Sequence, residues 1–316
     1  YLGRRLIIMA IAGALQTYGD VSKREDVVLN SIEILTATEN TIQAALGKTK
    51  AINTVHSYLV DTLLTAGSLA TEQGTDFSLS TLTTPTRLTN IVEEIAKAFL
   101  VTRPEEMVQS YSGINELDRQ LTKALKDWGN ALEFDLVRAT LASGVSGTVA
   151  TMNGILNGIS KSTNYTAQTS GTVFSATVLD AHMYNCWNNS NGDVATDVYV
   201  GGIMKRVVDN FVQKSNVVVN APGISTIVRT VTTFETSMGT VTVHKHRYVQ
   251  QAVTADNNLQ GKVLAIRPEK IKVAYLDMPF IKDLAENGAY SKKAVYGSLT
   301  AEFRNQDSCF YASGYQ

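Results

Sequence analysis

His244 and His246 flank Lys245 in the stretch MGTVTVHKHRYV, which has strand character, and alternation along a strand places both rings on one face. Two imidazoles on one face would begin a transition-metal site. No further histidine or cysteine cluster completes it in a chain with 4 histidines and 2 cysteines, so a solvent-facing or interface pair is the ordinary reading. Nucleophilic chemistry has no better support. GVSG at 144–147 lacks the G-x-S-x-G spacing of a nucleophile elbow and reads as a helix terminator. GILNGISKS at 154–162 holds Gly, Lys and Ser without the spacing of a phosphate loop. Cys186 lies beside Trp187 in a helical stretch and reads as a packed thiol. Glu93–Glu94 and Glu105–Glu106 are sequence neighbours; helix or strand geometry points each pair apart, and both read as solvated. Lys205–Arg206 and Lys292–Lys293 could touch phosphate, but no stretch interleaves basic and aromatic residues as a stacking platform would. The chain thus offers no catalytic group, no cofactor site and no metal site, which counts against an enzyme.

The bulk numbers narrow the class further. A chain of 316 residues can bury a large core, in one large domain or two. Net charge is -1 and charged residues make up 18 %, so no global basic field drives strong nucleic-acid affinity by counterion release. The 35 threonines, with Val, Ile and Tyr, favour β structure over much of the chain. Two cysteines far apart in sequence fit a reducing compartment and no disulfide framework. Arg4–Arg5 followed by LIIMAIAGAL resembles the start of a signal peptide. The apolar run is too short to span a bilayer and no small-residue cleavage site follows, so a buried helix or docking arm is expected, with no membrane partner.

The elements that any function must use are legible from periodicity. Residues 2–17 read as a helix apolar nearly all round, which must bury itself against something. Asn40–Leu46 reads as a short helix ended by Gly47, and Thr54–Val60 as a strand. Leu64–Pro85 carries only Glu72 and Asp76 as charges and reads as an extended loop or long hairpin. Leu88–Val101 fits helix or strand, with Ile91, Ile95 and Phe99 four residues apart. Residues 113–142 read as one long amphipathic helix, about 45 Å at 1.5 Å per residue. Its stripe is Ile114, Leu117, Leu121, Leu125, Trp128, Leu132 and Leu136, with Ser112 as the cap and Gly144 and Gly147 as the end. Gly129 inside it costs about 1 kcal/mol relative to Ala, so packing should compensate.

The second half reads as a capped helix at Ser175–Asn188, a strand at Asp197–Val200 and a helix at Ile203–Val212. Strand signals dominate from Ile224 onward, and 188–192 and 254–261 read as loops. Without βαβα alternation, the class is α+β. The segment 53–90 is too long for an ordinary connection and too polar to form its own core. An extended arm joined to a long rod implies a subunit that reaches over its neighbours, with no pocket at its centre.

These parts resemble the major capsid protein of tailed double-stranded DNA bacteriophages, with the Hong Kong 97-like fold. ENTIQAALGKTKAINTVHSYLVDTLL at 39–64 is similar to the way that family leaves its N-terminal arm and enters its extended loop. EQG at 72–74 and PTRLTN at 85–90 resemble the loop and its return, and SGINELDRQLTKALKDWGNALEFDLVRATL the spine helix. KIKVAYLDMPFIKDLAENGAYSKKAVYGSLTAEFRNQDS resembles the closing strands, and the likeness covers about 39–316. It implies an N-terminal arm at 1–52, an extension loop at 53–90, a peripheral domain at 91–159 and 262–316 with spine helix 113–142, and an axial domain at 160–261.

The implied partners are copies of the chain in hexamers and pentamers of an icosahedral virion shell, packaged double-stranded DNA touched non-specifically, a portal and decoration proteins, with assembly in the host bacterial cytoplasm. An encapsulin-like nanocompartment shell is the alternative. The implied intersubunit residues are Tyr58, Leu63, Leu64, Leu69, Phe77, Leu79, Leu82 and Arg87 in the loop, with Asn257 and Asn258 in a loop near the capsomer axis. The family prototype joins a loop lysine to a neighbour's asparagine. Residues 53–90 contain no lysine, so a shell held without such a bond is expected.

Overall fold

The threonine- and valine-rich second half folds as its composition demands, into long strands that run through two sheets. The computed structural model describes residues 40–63, 67–76, 79, 82–107, 115–145, 147–159, 164–211, 232–249 and 261–315, the side chains of 167–171 excepted. The sequence-predicted helix at 2–17, the cap Ser112 and most of the loop at 254–261 lie outside those residues.

In chain order, helix α1 (Thr41–Ala45) leads into β1 (Gly47–Lys50). Strands β2 (Val55–Val60) and β3 (Thr86–Ile91) follow, and only Val92 separates β3 from β4 (Glu93–Thr102). Helix α2 (Arg103–Met107) precedes the rod α3 (Glu116–Arg138). The short strands β5 (Ala142–Ser143) and β6 (Ala150–Thr151) lead to the single turn α4 (Ile155–Ile159). Then come β7 (Tyr165–Thr172), α5 (Ala176–Asn189), β8 (Asp197–Val200) and α6 (Gly202–Asp209). Strands β9 (Thr233–Thr236), β10 (Gly239–Lys245), β11 (Gly261–Ile266), β12 (Ile271–Asp283), β13 (Tyr290–Phe303) and β14 (Phe310–Tyr315) complete the chain.

A four-stranded sheet has the order β1-β12-β13-β4, and a six-stranded sheet the order β7-β14-β11-β8-β10-β9. The rod crosses the first sheet and buries Trp128, Leu132, Leu136 and Val137 into a core with Ile95, Leu299 and Phe303. Trp128 fixes the rod's rotation, because its Nε1–H donates to Ile95 O at 2.9 Å. Helices α5 and α6 cover one face of the second sheet, around Phe174, Met183 and Val263. Its other face, carrying Tyr199, Leu264, Ile266 and Tyr311, joins the core of the rod. Among the described residues, no helix is long and apolar enough to cross a membrane.

Several expectations need correction. Of the two readings open for Leu88–Val101, strand is the one formed, in β3 and β4. The rod begins with Asn115, whose side chain accepts from Leu117 N–H at 3.1 Å, and ends at Arg138, giving about 35 Å of helix. Gly144 and Gly147, with φ of 68° and 88°, turn the β5–β6 hairpin and do not terminate the rod. Leu125 is exposed; the buried stripe runs through Ala124, Trp128, Gly129, Leu132, Glu133, Leu136 and Val137. Gly47 opens β1, and α1 ends in extended backbone at Leu46. Residues 47–50 form the sheet edge, parallel to β12 with Gly47 opposite Lys272. Strands β11 and β14, within the stretch read as peripheral, pair in the six-stranded sheet with β7, β8 and β10. Gly129 is explained: a Cβ there would stand 2.9 Å from the Asn40 side chain, so the bare backbone admits the start of α1.

Candidate functional site

The extension at 53–91 is a two-stranded ribbon. β2 and β3 pair antiparallel from Val55 opposite Ile91 to Val60 opposite Thr86. Between Val60 and Thr86 the described residues form no strand, and Gly74 turns the chain with φ 89°. Leucines along this projection stand in solvent: Leu59, Leu63, Leu69, Leu79 and Leu82 are 69 % to 100 % exposed. A single exposed leucine is ordinary. Five on one projecting segment constitute an apolar surface in search of a cover.

The root of the ribbon, by contrast, is tied down. Asn90 is buried and all its amide positions are used. Its Nδ2 donates to Ala301 O at 2.7 Å and to Asn153 O at 3.3 Å. Its Oδ1 accepts from Asn153 N–H and Ile91 N–H, both at 2.9 Å. Tyr58 Oη accepts from Phe303 N–H at 3.1 Å, and His56 Nε2 lies 3.5 Å from the buried Glu302. Burial raises the Tyr58 phenol pKa, with the Phe303 N–H opposing. A groove of about 410 Å³ runs along the same root, lined by Val55, Ile91, Val92, Glu94, Val149 and Ala150. The exposed leucines and the hydrogen-bonded root are thus encoded a few residues apart.

Beneath the root, Glu93 turns inward and is buried. Its Oε2 accepts from Met152 N–H at 3.1 Å. Burial pushes its carboxyl up to about 7 against that hydrogen bond, and the neighbouring Asp135 adds to the rise. Burial alone pushes Asp135 to about 6. The expectation that Glu93 is solvated was wrong. Its pairing with Glu94 did split as strand geometry requires, since Glu94 faces out.

The interface residues implied by resemblance are distributed as follows. Tyr58 is half-buried and faces the body of its own chain. Leu63, Leu69, Leu79 and Leu82 are exposed on the projection. Arg87 is exposed on β3 and donates to Ser57 Oγ at 2.8 Å. Leu64, Phe77, Asn257 and Asn258 lie outside the described residues.

The histidine pair does share one side, as alternation requires, with His246 fully buried and His244 partly exposed. Both rings pack on Tyr199, with centroids 5.1 Å and 5.9 Å away. His244 meets Asp197 at 3.0 Å, while the fully buried His246 meets Glu133 at 2.9 Å. Among the described residues no three His, Cys, Asp or Glu side chains gather as metal ligands. Cys186 is packed, and burial pushes its thiol well above the usual range. Sequence reasoning missed Asn90, Glu93, Glu133 and Glu302. A carboxylate at 133, between Leu132 and Leu136 on the apolar stripe, was the available signal.

An arm of exposed leucines, a braced root, a rod and two sheets define a Hong Kong 97-like capsid subunit. The chain belongs to the SU10 major capsid protein family, whose model matches residues 14–316. No curated protein sequence matches it. Among solved structures, the chain is similar to one from Microbacterium phage Oxtober96 at 14 % identity and TM-score 0.62, covering 91 % of this chain and 94 % of that one. The capsid of Myoviridae phage XM1 matches at 12 % identity and TM-score 0.57, over 91 % and 96 %. The holo-SrpI encapsulin complex from Synechococcus elongatus PCC 7942 matches at 10 % and 0.60, over 90 % of each. Identities this low speak to the fold; the family model speaks to the function. The protein is a structural major capsid protein, which assembles with its own copies into a capsid shell of the virion.

Proposed function

We propose that the subunits form hexamers and pentamers of an icosahedral shell around packaged double-stranded DNA, clasped by the 53–90 ribbon of each subunit laid over its neighbour. The single observation that supports this reading is the leucine-lined projection on a hydrogen-bonded root. Obligate interfaces commonly bury more than about 2,000 Å², and a ribbon can add main-chain pairing to apolar burial. Leu63, Leu64, Leu69, Phe77, Leu79 and Leu82 are the apolar anchors of that clasp, and Arg87 flanks it. Asn257 and Asn258 serve contacts around the capsomer axis. The absence of lysine from 53–90 supports a shell held without a cross-link through this loop. The protein has no enzymatic role, a portal and decoration proteins complete the particle, and assembly takes place in the host cytoplasm.

Deleting Leu64–Pro85 tests the clasp. The expected result is a folded subunit that yields no stable shells in sedimentation and negative-stain microscopy; intact shells from the deletion would overturn it. Shells that enclose DNA support the phage reading, whereas shells enclosing a protein cargo would replace it with the encapsulin-like one.

A further inference from the structure

The ribbon is polarised along its length. From Ser57 to Thr86 the chain carries Asp61, Glu72 and Asp76 and no lysine, arginine or histidine. Its root is the reverse. Lys48 and Lys50 on β1, His56 on β2 and Arg87 on β3 stand there, and neither 40–60 nor 84–92 contains a carboxylate. Glu302, which reaches the root from β13, is buried and shared between His56 and Arg304. Lys48, Lys50 and Arg87 form no ion pair among the described residues. One end of the ribbon therefore has an excess of negative charge and the other an excess of positive.

The two ends also match in shape and apolar character. A groove of about 240 Å³ opens at the root, lined by Lys50, Ile52, Val55, His56, Ser57 and Arg87. Ile52 is 88 % exposed and Val55 47 %, and the hydrogen bond from Arg87 to Ser57 Oγ holds the guanidinium at the rim. On the projection Leu69 is 92 % exposed, with the exposed Glu72 three residues on and the turn at Gly74 just beyond. Nine residues separate Val60 from Leu69, a reach of up to about 30 Å in extended chain. An apolar side chain next to a carboxylate suits an apolar groove edged by cations. The other exposed apolar surface, around Leu100, Met278 and Phe280 on the four-stranded sheet, has mixed charge, with Asp277 and Asp283 beside Lys282, and does not select an acidic tip.

We propose that the 67–76 part of the projection docks, through Leu69 and Glu72, into the groove of Lys50, Ile52 and Arg87 at the ribbon root of a second copy of this chain. This rests on the reading of the ribbon as a clasp and deepens it by naming the surface that receives the ribbon. The contact is head-to-tail: each subunit gives its tip to one neighbour and offers its root to another. A heterologous contact of this kind closes into a ring where the rotation allows. Burial of Leu69 against Ile52 and Val55 removes apolar surface from water. The charges set direction, because tip against tip or root against root brings like charges together. Opposite excesses on one ribbon cancel only when a copy supplies the other half, and the chain as a whole stays near-neutral with a net charge of -1.

The test cross-links assembled full-length protein with a short bis-maleimide. Cys186 and Cys309 are buried, so cysteines introduced on the surface are the reactive ones. I52C/L69C should give a ladder of dimer, trimer and higher rungs on a denaturing gel, because each chain carries both halves of the joint. Each single variant should give a dimer at most. A ladder from L69C/F280C with none from I52C/L69C moves the tip to the four-stranded sheet and overturns the proposal, while the clasp stands. Shells formed by the Leu64–Pro85 deletion would overturn the clasp itself. A charge cycle gives a second readout. K50E and E72K change exposed side chains, and each should lower shell yield by about tenfold or more with the subunit's urea midpoint unchanged. K50E/E72K should recover most of that yield, as opposite charges meet again. Wild-type yield from both single variants, or no recovery in the double, overturns the pairing. If I52C/L69C does not assemble, the charge cycle decides alone.

Discussion

Glu133 and His246 meet at 2.9 Å with both side chains fully out of solvent, and the carboxylate does more than hold the ring. Its Oε1 also accepts from Ile42 N–H at 2.8 Å, and its Oε2 from Gln43 N–H at 2.9 Å. One carboxylate on the rod therefore seats the first turn of α1 and a residue at the end of β10. His246 Nδ1 has no partner among the described residues. A bare lone pair is cheaper to bury there than an orphaned N–H, so Nε2 carries the proton and donates it to Glu133. The residue that links α1, the rod and the second sheet is polar, buried and central.

Truncating that link should be severe. E133A leaves two helix N–H groups and the imidazole N–H without their acceptor, and each buried donor left unsatisfied costs about 1–3 kcal/mol. E133Q keeps an acceptor oxygen and should lose less. Urea denaturation of unassembled subunits gives the ranking, and hydrogen exchange at Ile42 and Gln43 should accelerate in E133A first. An E133A midpoint equal to that of the wild type would refute the link.

Glu93 makes subunit stability fall as the pH rises. Its carboxyl is raised to about 7 in the folded chain and is ordinary when unfolded, so the folded state holds the proton more tightly. The stabilisation is complete below about pH 4 and is lost as pH climbs through 7. Asp135, at about 6, acts in the same direction. E93Q should flatten the profile and gain about 2 kcal/mol over the wild type between pH 5 and pH 8, at about 1.4 kcal/mol per pKa unit. Parallel profiles for the two proteins would contradict it.

At Gly154 the chain passes close against the end of the rod. A Cβ would stand 2.7 Å from Ala139 N and 2.9 Å from Ala139 O, both backbone atoms with nowhere to go. G154A should cost about 1–3 kcal/mol by overpacking. Gly202, at the first turn of α6, has open space around its Cβ position, so G202A should be neutral or stabilising by up to about 1 kcal/mol. Thermal unfolding of both variants checks the contrast; equal shifts would refute it.

What the sequence could and could not show follows from the range of each interaction. The rod was legible because its stripe is local, and the cap and last turn were missed because they depend on which of several polar residues finds a free N–H. Leu88–Val101 was ambiguous for a numerical reason: Ile91, Ile95 and Phe99 recur every four residues, close to one helical turn and equal to two strand periods. Pairing with β13, from Leu299 opposite Glu93 to Tyr290 opposite Thr102, decided the matter, and that partner lies some two hundred residues away. The same holds for Glu133 with His246. Polar groups brought together by topology leave no mark in a window of sequence. The leucines of the extension were legible because none of the described residues covers them.

The clasp makes its sharpest prediction at Asn90, where assembly can be separated from folding. Three of its four hydrogen bonds join the ribbon to β13 and to the residue after Met152, and the fourth is from Ile91 N–H in the ribbon itself. Losing a buried side chain of this kind leaves Ala301 O and Asn153 N–H unpaired, each worth about 1–3 kcal/mol. Most of the subunit's core lies elsewhere, around the rod and under α5 and α6, so N90A should fold with a modestly lowered midpoint. The ribbon would then pivot on Tyr58 and His56 alone. A lever with a loose root spends fewer of its encounters aimed at a neighbour, so shell yield should fall by far more than stability does. Y58F removes one acceptor and should show the same asymmetry at smaller scale. Sedimentation of both variants against their urea midpoints measures it, and shell yields that merely track the midpoints would show that the root braces the fold and has no part in aiming the ribbon.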